Sequence, residues 1–561
     1  MVVMLDQDTA SLRKARGAFF TPIPVARFLV NWAVRRPDDA VLEPSCGEAV
    51  FLHQLGQRAT HTGRLVGVEL HAASARKAEK SLRADGIAVR IHTGDFFLHS
   101  EFGEYDAVVG NPPFIRYQDF AGDARLRARE AALRAGVPLT NLASSWAAFT
   151  VHSALHLKAG GRLALVLPAE LLTVNYASPV RQFLLEHFAE IRLVVFEQRI
   201  FPDVLEEVVL LLADDYRPKG DVGTDHMTLW PLRNAEGLVN LADWRRWTPP
   251  HKTAKWTAGL MSADGSSAYD SALRSDAFVT LESWGDTTLG MVTGDNRFFT
   301  LSPEKVLELG LAQTDVITVS PPGSRHLRRL TLTKRTLATL GNDGLATRLF
   351  RPSGEPSKAA WRYIKSGELL DVHRAYKCRV RNPWWRVPYL RPADLLLTYM
   401  NADTPRIASN GAQAHHLNSV HGIYLRDEYR AIGMELLPIA SLNSVTLLGA
   451  ETVGRAYGGG MLKVEPREAD LLPMPSPEVV AQQADELRAA QPQVAKYLRA
   501  GRLLDAVAVI DDVLLVGAGA RSRRNRARWS LTTDQLRYIR ADHAALTARR
   551  TARGQAARHA E

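Results

Sequence analysis

Cysteine is scarce in this chain. Only two occur among its 561 residues, Cys46 and Cys378, and they lie far apart in the sequence. Their number and spacing argue against a disulfide framework and against a zinc cluster, so no metal site is expected. The start of the chain has no signal-peptide pattern, and no apolar stretch is long enough to cross a bilayer. A cytoplasmic protein without a membrane partner is the simplest interpretation.

The size and charge distribution of the chain indicate more than one domain. A length of 561 residues exceeds what a single apolar core usually serves, so two or three domains are expected. The formal net charge of +10 is unevenly distributed: residues 1–215 hold 23 basic and 25 acidic residues, whereas residues 321–391 hold 16 basic and 4 acidic ones. Such a basic block is typical of a surface that binds a polyanion, and a solvated arginine-rich surface is the alternative.

Residues 20–215 alternate short β-type runs with helical stretches. This alternation predicts an α/β fold with a doubly wound, Rossmann-like and mostly parallel sheet, in which ligands bind at the carboxyl ends of the strands. Helices are expected at Pro24–Val34, Ala72–Ala84 and Ser144–Lys158. The expected strands are Ala40–Glu43, Arg64–Leu70, Ala88–His92, Tyr105–Gly110, Gly161–Leu167, Ile191–Phe196 and Glu206–Ala213.

After Asp214–Gly223 the pattern becomes irregular, with short strands, many tryptophans and prolines, and no clear repeat. We therefore expect a first domain over residues 1–220 and a second, α+β domain over residues 221–480. Helical periodicity returns at Ala481–Leu514, and residues 481–561 are expected to form a helical basic tail. Composition leaves open whether the arginine-rich part of this tail is a mobile arm or an exposed helix.

Three acidic residues follow successive predicted strands. Glu43 precedes a turn of small residues, Pro44–Ala49, whose backbone amides can approach the polar end of a cofactor while Glu43 meets its cationic groups. Glu69 ends the next strand, where a carboxylate suits a ribose diol, and Asp95 follows the third, where it could accept from an adenine amino group. An NAD-binding Rossmann site fits the first two acids but lacks the G-x-G-x-x-G pattern. Ordinary βα turns are the plain alternative.

The fourth strand end carries the most informative motif, Asn111-Pro112-Pro113-Phe114. It presents an amide and backbone carbonyls beside an aromatic ring, and its prolines stiffen the turn because their φ is fixed and they offer no competing N–H donor. Methyl transfer to the exocyclic amino group of a nucleobase, or of a similar amide, needs such a set. The amide oxygen and the carbonyl accept hydrogen bonds from the amino group, and the ring stacks on the base. Hydride transfer has no need for this fourth element.

Near the start, Gly17–Pro22 precedes an amphipathic helix, and the Thr21 hydroxyl could close over a cofactor carboxylate; taken alone, the segment is a common helix start. The order of these segments resembles the gamma class of S-adenosylmethionine-dependent amino-methyltransferases, the usual class of bacterial type II adenine-specific DNA methyltransferases. The resemblance covers residues 17–215 closely. Beyond them, Ala456–Pro466 and Leu472–Pro475 resemble the closing segment of the recognition region of such enzymes.

The resemblance implies which residues serve the cofactor. Thr21, Glu43, Glu69 and Asp95 would hold S-adenosylmethionine, and Phe96 would pack against its adenine. The turn that follows Glu43 is poorer in glycine than the family pattern, which puts the strength of cofactor binding in doubt.

The resemblance also implies which residues serve the target base. Asn111 and the Pro112 carbonyl would bind its amino group, Pro113 would complete the rigid turn, and Phe114 would stack on the flipped base. Phe201 stands where the family places a second aromatic ring against that base, although a core role before a strand is the alternative. Phe114 departs from the family, since the adenine enzymes more often carry Tyr there; stacking survives this change, but any use of a hydroxyl is lost.

The implied mechanism needs no covalent intermediate. The amino nitrogen of a nucleobase is a weak nucleophile because its lone pair is delocalised into the ring, and acceptors at Asn111 and Pro112 would turn that lone pair toward the methyl donor. Catalysis would come largely from positioning and from a field suited to the developing charge. Removing the base from the helix costs a few kcal/mol, which stacking worth roughly 1–3 kcal/mol per base would offset. No catalytic cysteine is expected, so Cys46 is interpreted as a small packing residue.

The resemblance assigns sequence choice to residues 221–480 and implies double-stranded DNA as the partner. Arginines can contact guanine edges or phosphates, and sequence alone does not sort them. We expect no nuclease domain ahead of the catalytic domain, because the Phe-Thr-Pro segment (Phe20-Thr21-Pro22) lies within about twenty residues of the start of the sequence. A cognate restriction endonuclease would then be a separate protein, and the enzyme itself a monomer. The candidate DNA contacts are Arg297, Arg325, Arg328, Arg329, Arg379, Arg381 and Arg386.

Three other functions stay open at this stage. The same acceptor geometry suits the N4 amino group of cytosine. RNA and protein-glutamine methyltransferases also use Asn-Pro-Pro-aromatic, although they explain neither the basic second domain nor the Phe-Thr-Pro segment. A DNA-binding specificity module with a decayed site is the third, and the intact acids at 43, 69 and 95 argue against it.

Overall fold

The computed structural model describes residues 21–58, 61–198, 200–201, 207–220, 223–239, 241, 244–457, 460–516 and 530–558, with side chains described as far as residue 551. The chain divides into two compact units, the first ending at Leu260 and the second beginning at Met261. Some predictions fall on residues outside the described ranges, among them 17–20, 206, 458–459 and 517–529.

Unit 1 is built around a nine-stranded sheet that contains all seven strands predicted from the sequence. Their ends differ from the predicted ones by a few residues at most. The strands are β1 (Val41–Pro44), β2 (Leu65–Glu69), β3 (Arg90–Thr93), β4 (Tyr105–Gly110), β5 (Leu157–Pro168), β6 (Phe188–Phe196), β7 (Val208–Tyr216), β8 (Met227–Leu232) and β9 (Arg245–Trp247). The helices are α1 (Ile23–Ala33), α2 (Val50–Gly56), α3 (Ala72–Ala84), α4 (Gly122–Arg134), α5 (Ser145–Leu155), α6 (Glu170–Thr173) and α7 (Ser178–His187).

The strand order of this sheet is β3-β2-β1-β4-β5-β7-β6-β8-β9. Strands β1 to β5 pair in parallel, whereas β7 runs antiparallel to both of its neighbours. The chain proceeds outward from β1 through β2 to β3 and then returns to place β4 on the other side of β1. The carboxyl ends of β1 and β4 therefore form the switch point of the sheet, where α/β proteins bind ligands.

Both faces of the sheet are covered by apolar side chains. Alternate residues of β5 belong to two different apolar cores, with Leu163, Leu165 and Leu167 in one and Ala164 and Val166 in the other. A strand that is buried on both faces shows a continuous apolar run, as β5 does, because helices pack on either side of it. The predicted doubly wound, mostly parallel fold is confirmed.

The boundary between the units differs from the predicted one at 220. Strand β8 pairs in parallel with β6, and β9 pairs with β8, so both strands complete the sheet of unit 1. The division follows Leu260. The short strands and their tryptophans made this segment look irregular in sequence, although pairing with a distant strand orders it.

Unit 2 mixes helices with small antiparallel sheets, as an α+β domain does. Four sheets, of two, four, three and three strands, occur within its described residues. Its strands are β10 (Phe278–Thr280), β11 (Gly285–Leu289), β12 (Thr300–Leu301), β13 (Val316–Thr318), β14 (Arg348–Phe350), β15 (Leu395–Thr398), β16 (Met400–Asn401), β17 (Ile407–Ser409), β18 (Val420–Leu425), β19 (Arg455–Tyr457), β20 (Met461–Lys463) and β21 (Pro473–Pro475). Its helices are α8 (Ala263–Arg274), α9 (Leu281–Trp284), α10 (Asn296–Phe299), α11 (Pro303–Glu308), α12 (Lys334–Asn342), α13 (Lys358–Leu369), α14 (Tyr376–Arg379), α15 (Arg430–Ala440), α16 (Ser444–Val453), α17 (Pro466–Ala469), α18 (Pro477–Gln482), α19 (Ala484–Arg499), α20 (Leu503–Asp511) and α21 (Thr533–Arg558).

The described part of residues 481–561 belongs to unit 2 and is not a separate tail, in contrast to the prediction. Helix α21 is fixed by two ion pairs with acids that are almost inaccessible to solvent. Arg540 Nη2 lies 2.7 Å from Asp511 Oδ2, and Arg550 Nη2 lies 2.7 Å from Glu451 Oε1. These two arginines therefore serve internal pairing, which composition could not distinguish from a basic arm.

Among the described residues, no single helix combines the length and apolarity that a membrane span needs. One bent pair, Asp427–Ala440 with Ser444–Val453, passes on length and composition. Most residues of the second helix of this pair are buried inside the protein.

Candidate active site

The turn after β1, residues 44–49 (the β1 turn), has a strained backbone. Ser45, Gly47 and Ala49 have positive φ angles of 55°, 53° and 57°. Glycine adopts this left-handed conformation freely, whereas the Cβ atom of serine or alanine makes it costly. The turn also lies close over β2, where a Cβ atom added to Gly67 would come within 3.0 Å of the sulfur of the turn's cysteine. Strain of this kind is often found at ligand-binding sites.

Glu69, at the end of β2, holds the neighbouring loops together. Its Oε2 accepts a hydrogen bond from the Gly47 amide at 2.9 Å, and its Oε1 accepts one from the His71 amide at 2.9 Å. Its backbone carbonyl accepts from the Gly94 amide, also at 2.9 Å. A single residue thereby joins the β1 turn to the loop that carries Asp95.

Glu43 is buried beneath the β1 turn, with only 2% of its surface exposed. Its carboxylate accepts a hydrogen bond from the Leu52 amide of α2 at 3.1 Å. Burial raises the pKa of Glu43 well above its usual value, and the nearby charge of Glu69 adds to the effect. Burial is also the main cause that raises the pKa of the Cys46 thiol, which agrees with a packing role for this cysteine.

Asp95 follows β3 and is already engaged on two sides. Its Oδ1 accepts a hydrogen bond from the Phe97 amide at 3.0 Å, and its Oδ2 lies 3.1 Å from Nε of Arg127 in α4. A carboxylate has about four lone-pair sites, so these two contacts leave acceptor capacity for a ligand. The predicted role of Asp95 as an acceptor for an adenine amino group is compatible with this arrangement. No motif had predicted Arg127 as a neighbour.

Phe96 lies in an aromatic cluster under α5 and is only 3% exposed. Its ring stacks on Phe149 at a centroid distance of 5.4 Å and on His156 at 5.2 Å. Burial lowers the pKa of His156 to about 4 and that of the adjacent His152 to about 3, so both imidazoles are neutral near pH 7. These contacts favour a core role for Phe96, and its contact with a cofactor adenine stays a prediction.

Residues 111–115 (the β4 loop) begin beside the β1 turn. The Asn111 Nδ2 donates a hydrogen bond to Thr21 Oγ1 at 3.2 Å, which joins two predicted site residues that are 90 positions apart. A Cβ atom added to Gly110 would lie 3.3 Å from Pro44 Cδ, so β4 and the β1 turn make close contact. The structure therefore brings Thr21, the β1 turn and the amide of Asn111 together at the switch point.

Ser145, the first residue of α5, fixes the other end of the β4 loop. Its hydroxyl donates to the Pro113 carbonyl and accepts from the Ile115 amide at 2.9 Å. Its own amide donates to the Ile115 carbonyl at 3.0 Å. Sequence reasoning missed this residue, although the two prolines signal a loop whose backbone must be held by an outside partner.

The two predicted stacking rings are both associated with the apolar cores of unit 1. Phe114 is half-buried and packs against the cores on both faces of the sheet. Phe201 is only 4% exposed and lies in the core that also contains α1. The burial of Phe201 agrees with the alternative of a core role, and its contact with a base stays a prediction.

Two family models match the chain, one on each side of the boundary between the predicted domains. The first, described as N-6 DNA Methylase, matches residues 3–222. The chain belongs to the N-6 DNA methylase family. It is an N6-adenine DNA methyltransferase of the type II restriction-modification class, with the gamma-class order of motifs. The second model, the C-terminal domain of type II methyltransferase M.Eco57I, matches residues 253–515 of this methylase.

Several curated proteins are similar to this methylase along most of its length. The type II methyltransferase M.XamI of Xanthomonas campestris pv. amaranthicola is 26% identical over 483 residues, which cover 82% of this chain and 85% of M.XamI. M.AccI of Acinetobacter calcoaceticus is 22% identical over 81% of this chain and 84% of its own. Among solved structures, the chain of a DrdV–DNA complex is 12% identical, with a TM-score of 0.46 over 85% of this chain and 57% of that one.

The N-6 DNA methylase family uses S-adenosylmethionine, and the donor set at the switch point fits this cofactor. The hydroxyls of a ribose diol need hydrogen-bond acceptors, and the remaining lone pairs of the Glu69 carboxylate can serve them. The amino group of an adenine also needs an acceptor, and Asp95 can provide it. Glu43 directly precedes the β1 turn, and Thr21 contacts Asn111 at the start of the β4 loop, which comes close to that turn. Residues that can bind a ligand with both positive and negative groups therefore lie together at one edge of the sheet.

The seven arginines predicted to contact DNA all lie in unit 2 of the methylase and fall into two groups. Arg328 forms an ion pair with Asp403, and Arg381 donates to the carbonyls of Val292 and, at 2.7 Å, Thr293. These two guanidinium groups therefore brace the fold. The other five are exposed: Arg297, Arg325, Arg329, Arg379 and Arg386.

Proposed function

We propose that this methylase uses the β4 loop to position the N6 amino group of an adenine that has been rotated out of duplex DNA. The observation that carries this proposal is the hydrogen bond from Asn111 Nδ2 to Thr21 Oγ1 at the switch point. Because the amide nitrogen donates to Thr21, the amide oxygen of Asn111 is the proposed acceptor for the target amino group. The Pro112 carbonyl provides a second acceptor on the same loop.

The β4 loop acts on the amino group through orientation. Two acceptors that bind its hydrogens draw the nitrogen out of conjugation with the ring and direct its lone pair at the methyl carbon, and no covalent bond to the enzyme forms. The acceptors are fixed before the base arrives, so little of the binding free energy is spent on ordering them. Phe114 stacks on the extruded base, and Phe201 stands where the family places a second ring against it. Stacking of this kind offsets part of the cost of extrusion.

The acids of the neighbouring strand ends hold the cofactor. S-adenosylmethionine supplies, when bound, an electrophilic methyl group. Glu69 accepts from the ribose hydroxyls and Asp95 from the adenine amino group, with Phe96 beneath it, while Glu43 and Thr21 serve the amino-acid end. Glu69 also holds the β1 turn, so the same carboxylate that meets the ribose keeps the turn in place.

Double-stranded DNA is the proposed substrate, and unit 2 is its proposed site of recognition. The exposed arginines contact phosphates or guanine edges, while the braced ones, Arg328 and Arg381, maintain the surface that presents them. A monomer suffices for this arrangement, and a cognate restriction endonuclease is the proposed protein partner.

The test is Asn111→Ala, assayed with tritiated cofactor on duplex DNA that was amplified in vitro and so carries no methylated bases. We expect methyl transfer to fall at least about a hundredfold, as it does when a group that stabilises developing charge is removed. Asn141→Ala, an exposed asparagine of unit 1 that bonds Arg129, is the matched control and should keep full activity. Wild-type rates for Asn111→Ala would refute the assignment, and chromatography of the product nucleosides distinguishes N6-methyladenine from N4-methylcytosine.

A further inference from the structure

The β4 loop cannot hold its own shape by backbone hydrogen bonding. Pro112 and Pro113 lack N–H groups, so the polar backbone groups of the loop need a partner from elsewhere in the fold. Ser145 is that partner: it makes three hydrogen bonds to Pro113 and Ile115. Phe114 lies between these two residues and is fixed by them on both sides.

The chemistry of a hydroxyl suits this position. A serine hydroxyl has one donor hydrogen and two acceptor lone pairs, so it can bind a carbonyl and an amide at once. Ser145 is completely buried, which protects both bonds from competition by water. No apolar residue of similar size can replace these two bonds.

Ser145 is itself held by residues that follow strand β5. Its neighbour Trp146 donates through Nε1 to Glu170 Oε2 at 3.1 Å. The Tyr176 hydroxyl donates to the same Glu170 oxygen at 2.5 Å, and its oxygen lies 3.1 Å from the hydroxyl of the other neighbour, Ser144. The first turn of α5 is thus tied to the end of β5, the strand that pairs with β4.

We propose that Ser145 is a positioning residue for methyl transfer, which sets the Pro112 carbonyl and the Phe114 ring through its hydrogen bonds to Pro113 and Ile115. The Ser144–Tyr176–Glu170 contacts act through Ser145 as its support. This assignment rests on the proposed function of the β4 loop. Ser145 touches the loop and not the reacting atoms, so its effect belongs to the rate of transfer and not to cofactor binding.

The test compares Ser145→Ala with Thr150→Val in the full chain. Thr150 lies on the same helix, is equally buried, and donates to the Trp146 carbonyl at 2.8 Å, so its replacement removes a buried hydroxyl without touching the loop. The measurements are the single-turnover rate of tritiated methyl transfer to amplified duplex DNA, the Kd for S-adenosylmethionine by calorimetry, and the Tm. We expect Ser145→Ala to slow transfer about 30-fold or more while the Kd changes less than threefold, and Thr150→Val to stay within threefold in rate.

Three outcomes would overturn the inference or its basis, and they are distinguishable. A transfer rate for Ser145→Ala within threefold of wild type, alongside an inactive Asn111→Ala, would refute the role of Ser145 alone. Activity in both variants would refute the proposed function of the loop. If Ser145→Ala does not fold, Tyr176→Phe decides: it removes the hydroxyl that supports Ser144, and a rate within twofold of wild type would contradict the proposal, since we expect a fall of about three- to tenfold.

Discussion

At the scale of single residues, Glu43 is a site residue whose burial lowers the folding stability of the protein when its carboxyl group is ionised. Its carboxyl group is buried, and desolvation raises its pKa. A raised pKa in the folded state means that folding favours the protonated carboxyl. The stability contributed by this group is fully present below its unfolded pKa and is lost as the pH rises through the folded pKa.

We therefore expect Glu43→Gln to be more stable than the wild type at high pH, with a difference that grows between pH 5 and pH 8. Glutamine keeps the size of the side chain and cannot ionise. In a unit of this size, each kcal/mol of that difference should raise the Tm by roughly 2–4 °C. Thermal unfolding over this pH range, monitored by circular dichroism, measures it. A difference that is constant or shrinks with pH would contradict the raised pKa.

The single residues of the site were predictable to the extent that a sequence motif carries them. Glu69 and Asn111 lie at strand ends, and the strand pattern alone placed them at one edge of the sheet. Ser145 was not predictable in this way, because its contacts to the β4 loop join residues 30 and 32 positions apart and a serine at a helix start is common. Phe96 was assigned to the cofactor by its place in a motif, whereas its packing depends on α5, which the motif does not include.

At the scale of elements, the C-terminal helix α21 depends on buried ion pairs. Arg550 and Glu451 are 3% and 4% exposed, and Arg550 also donates to the Asp403 carbonyl at 2.9 Å. A buried pair adds little net stability compared with apolar packing, but removing one partner leaves the other charge uncompensated in the interior. The helix is therefore more sensitive to the replacement of one arginine than its basic composition implies.

Arg550→Met should lower the free energy of unfolding of unit 2 by about 3–5 kcal/mol, the cost typical of breaking a buried pair. Chemical denaturation measures this change. Arg537→Met is the control, because Arg537 pairs with Asp534 on the exposed side of the same helix and should unfold like the wild type. Equal stability of both variants would show that the buried pair does not hold the helix.

The elements of unit 1 were more predictable than those beyond it. Short apolar runs that alternate with helical stretches are compatible with few folds other than a parallel sheet. All seven strands predicted from this pattern are therefore present in the sheet. Strands β8 and β9 were not predicted, since β8 is ordered by pairing with β6 and β9 by pairing with β8, and not by their own pattern. The same holds for α21, whose arginines become structural only through partners 29 and 99 residues away.

At the scale of the whole molecule, the net charge overstates the number of cationic side chains that are available to bind a polyanion. The basic block of residues 321–391 contains 16 basic residues, but some of them are engaged within the protein. Arg328 and Arg381 are examples, while Arg325, Arg329 and Arg379 are exposed. Only an exposed cation can release counterions from DNA when it binds.

Replacing Arg325, Arg329 and Arg379 together by glutamine should flatten the salt dependence of DNA binding. Each phosphate that is no longer neutralised by an arginine reduces the slope of log K against log salt concentration by about 0.9, so the slope should fall by about 2 to 3. Fluorescence anisotropy with a labelled duplex at several salt concentrations measures it. An unchanged slope would remove these arginines from the DNA interface.

Arg381→Gln provides the contrast for that experiment. The Arg381 guanidinium group donates to two backbone carbonyls, so its removal should lower the Tm and leave the salt slope as it is. A lower slope in this variant without a decrease in stability would place Arg381 among the DNA contacts.

The close approach between Gly110 and Pro44 has a consequence for how the reaction is timed. Backbone packing, and not side-chain rotamers, sets the distance between the β1 turn and the β4 loop, since even one methyl group added at Gly110 would crowd the proline. We therefore expect the β1 turn and the β4 loop to move little relative to each other. We also expect little reorganisation of these two loops before methyl transfer, so the slow motions of the reaction should be those of the DNA.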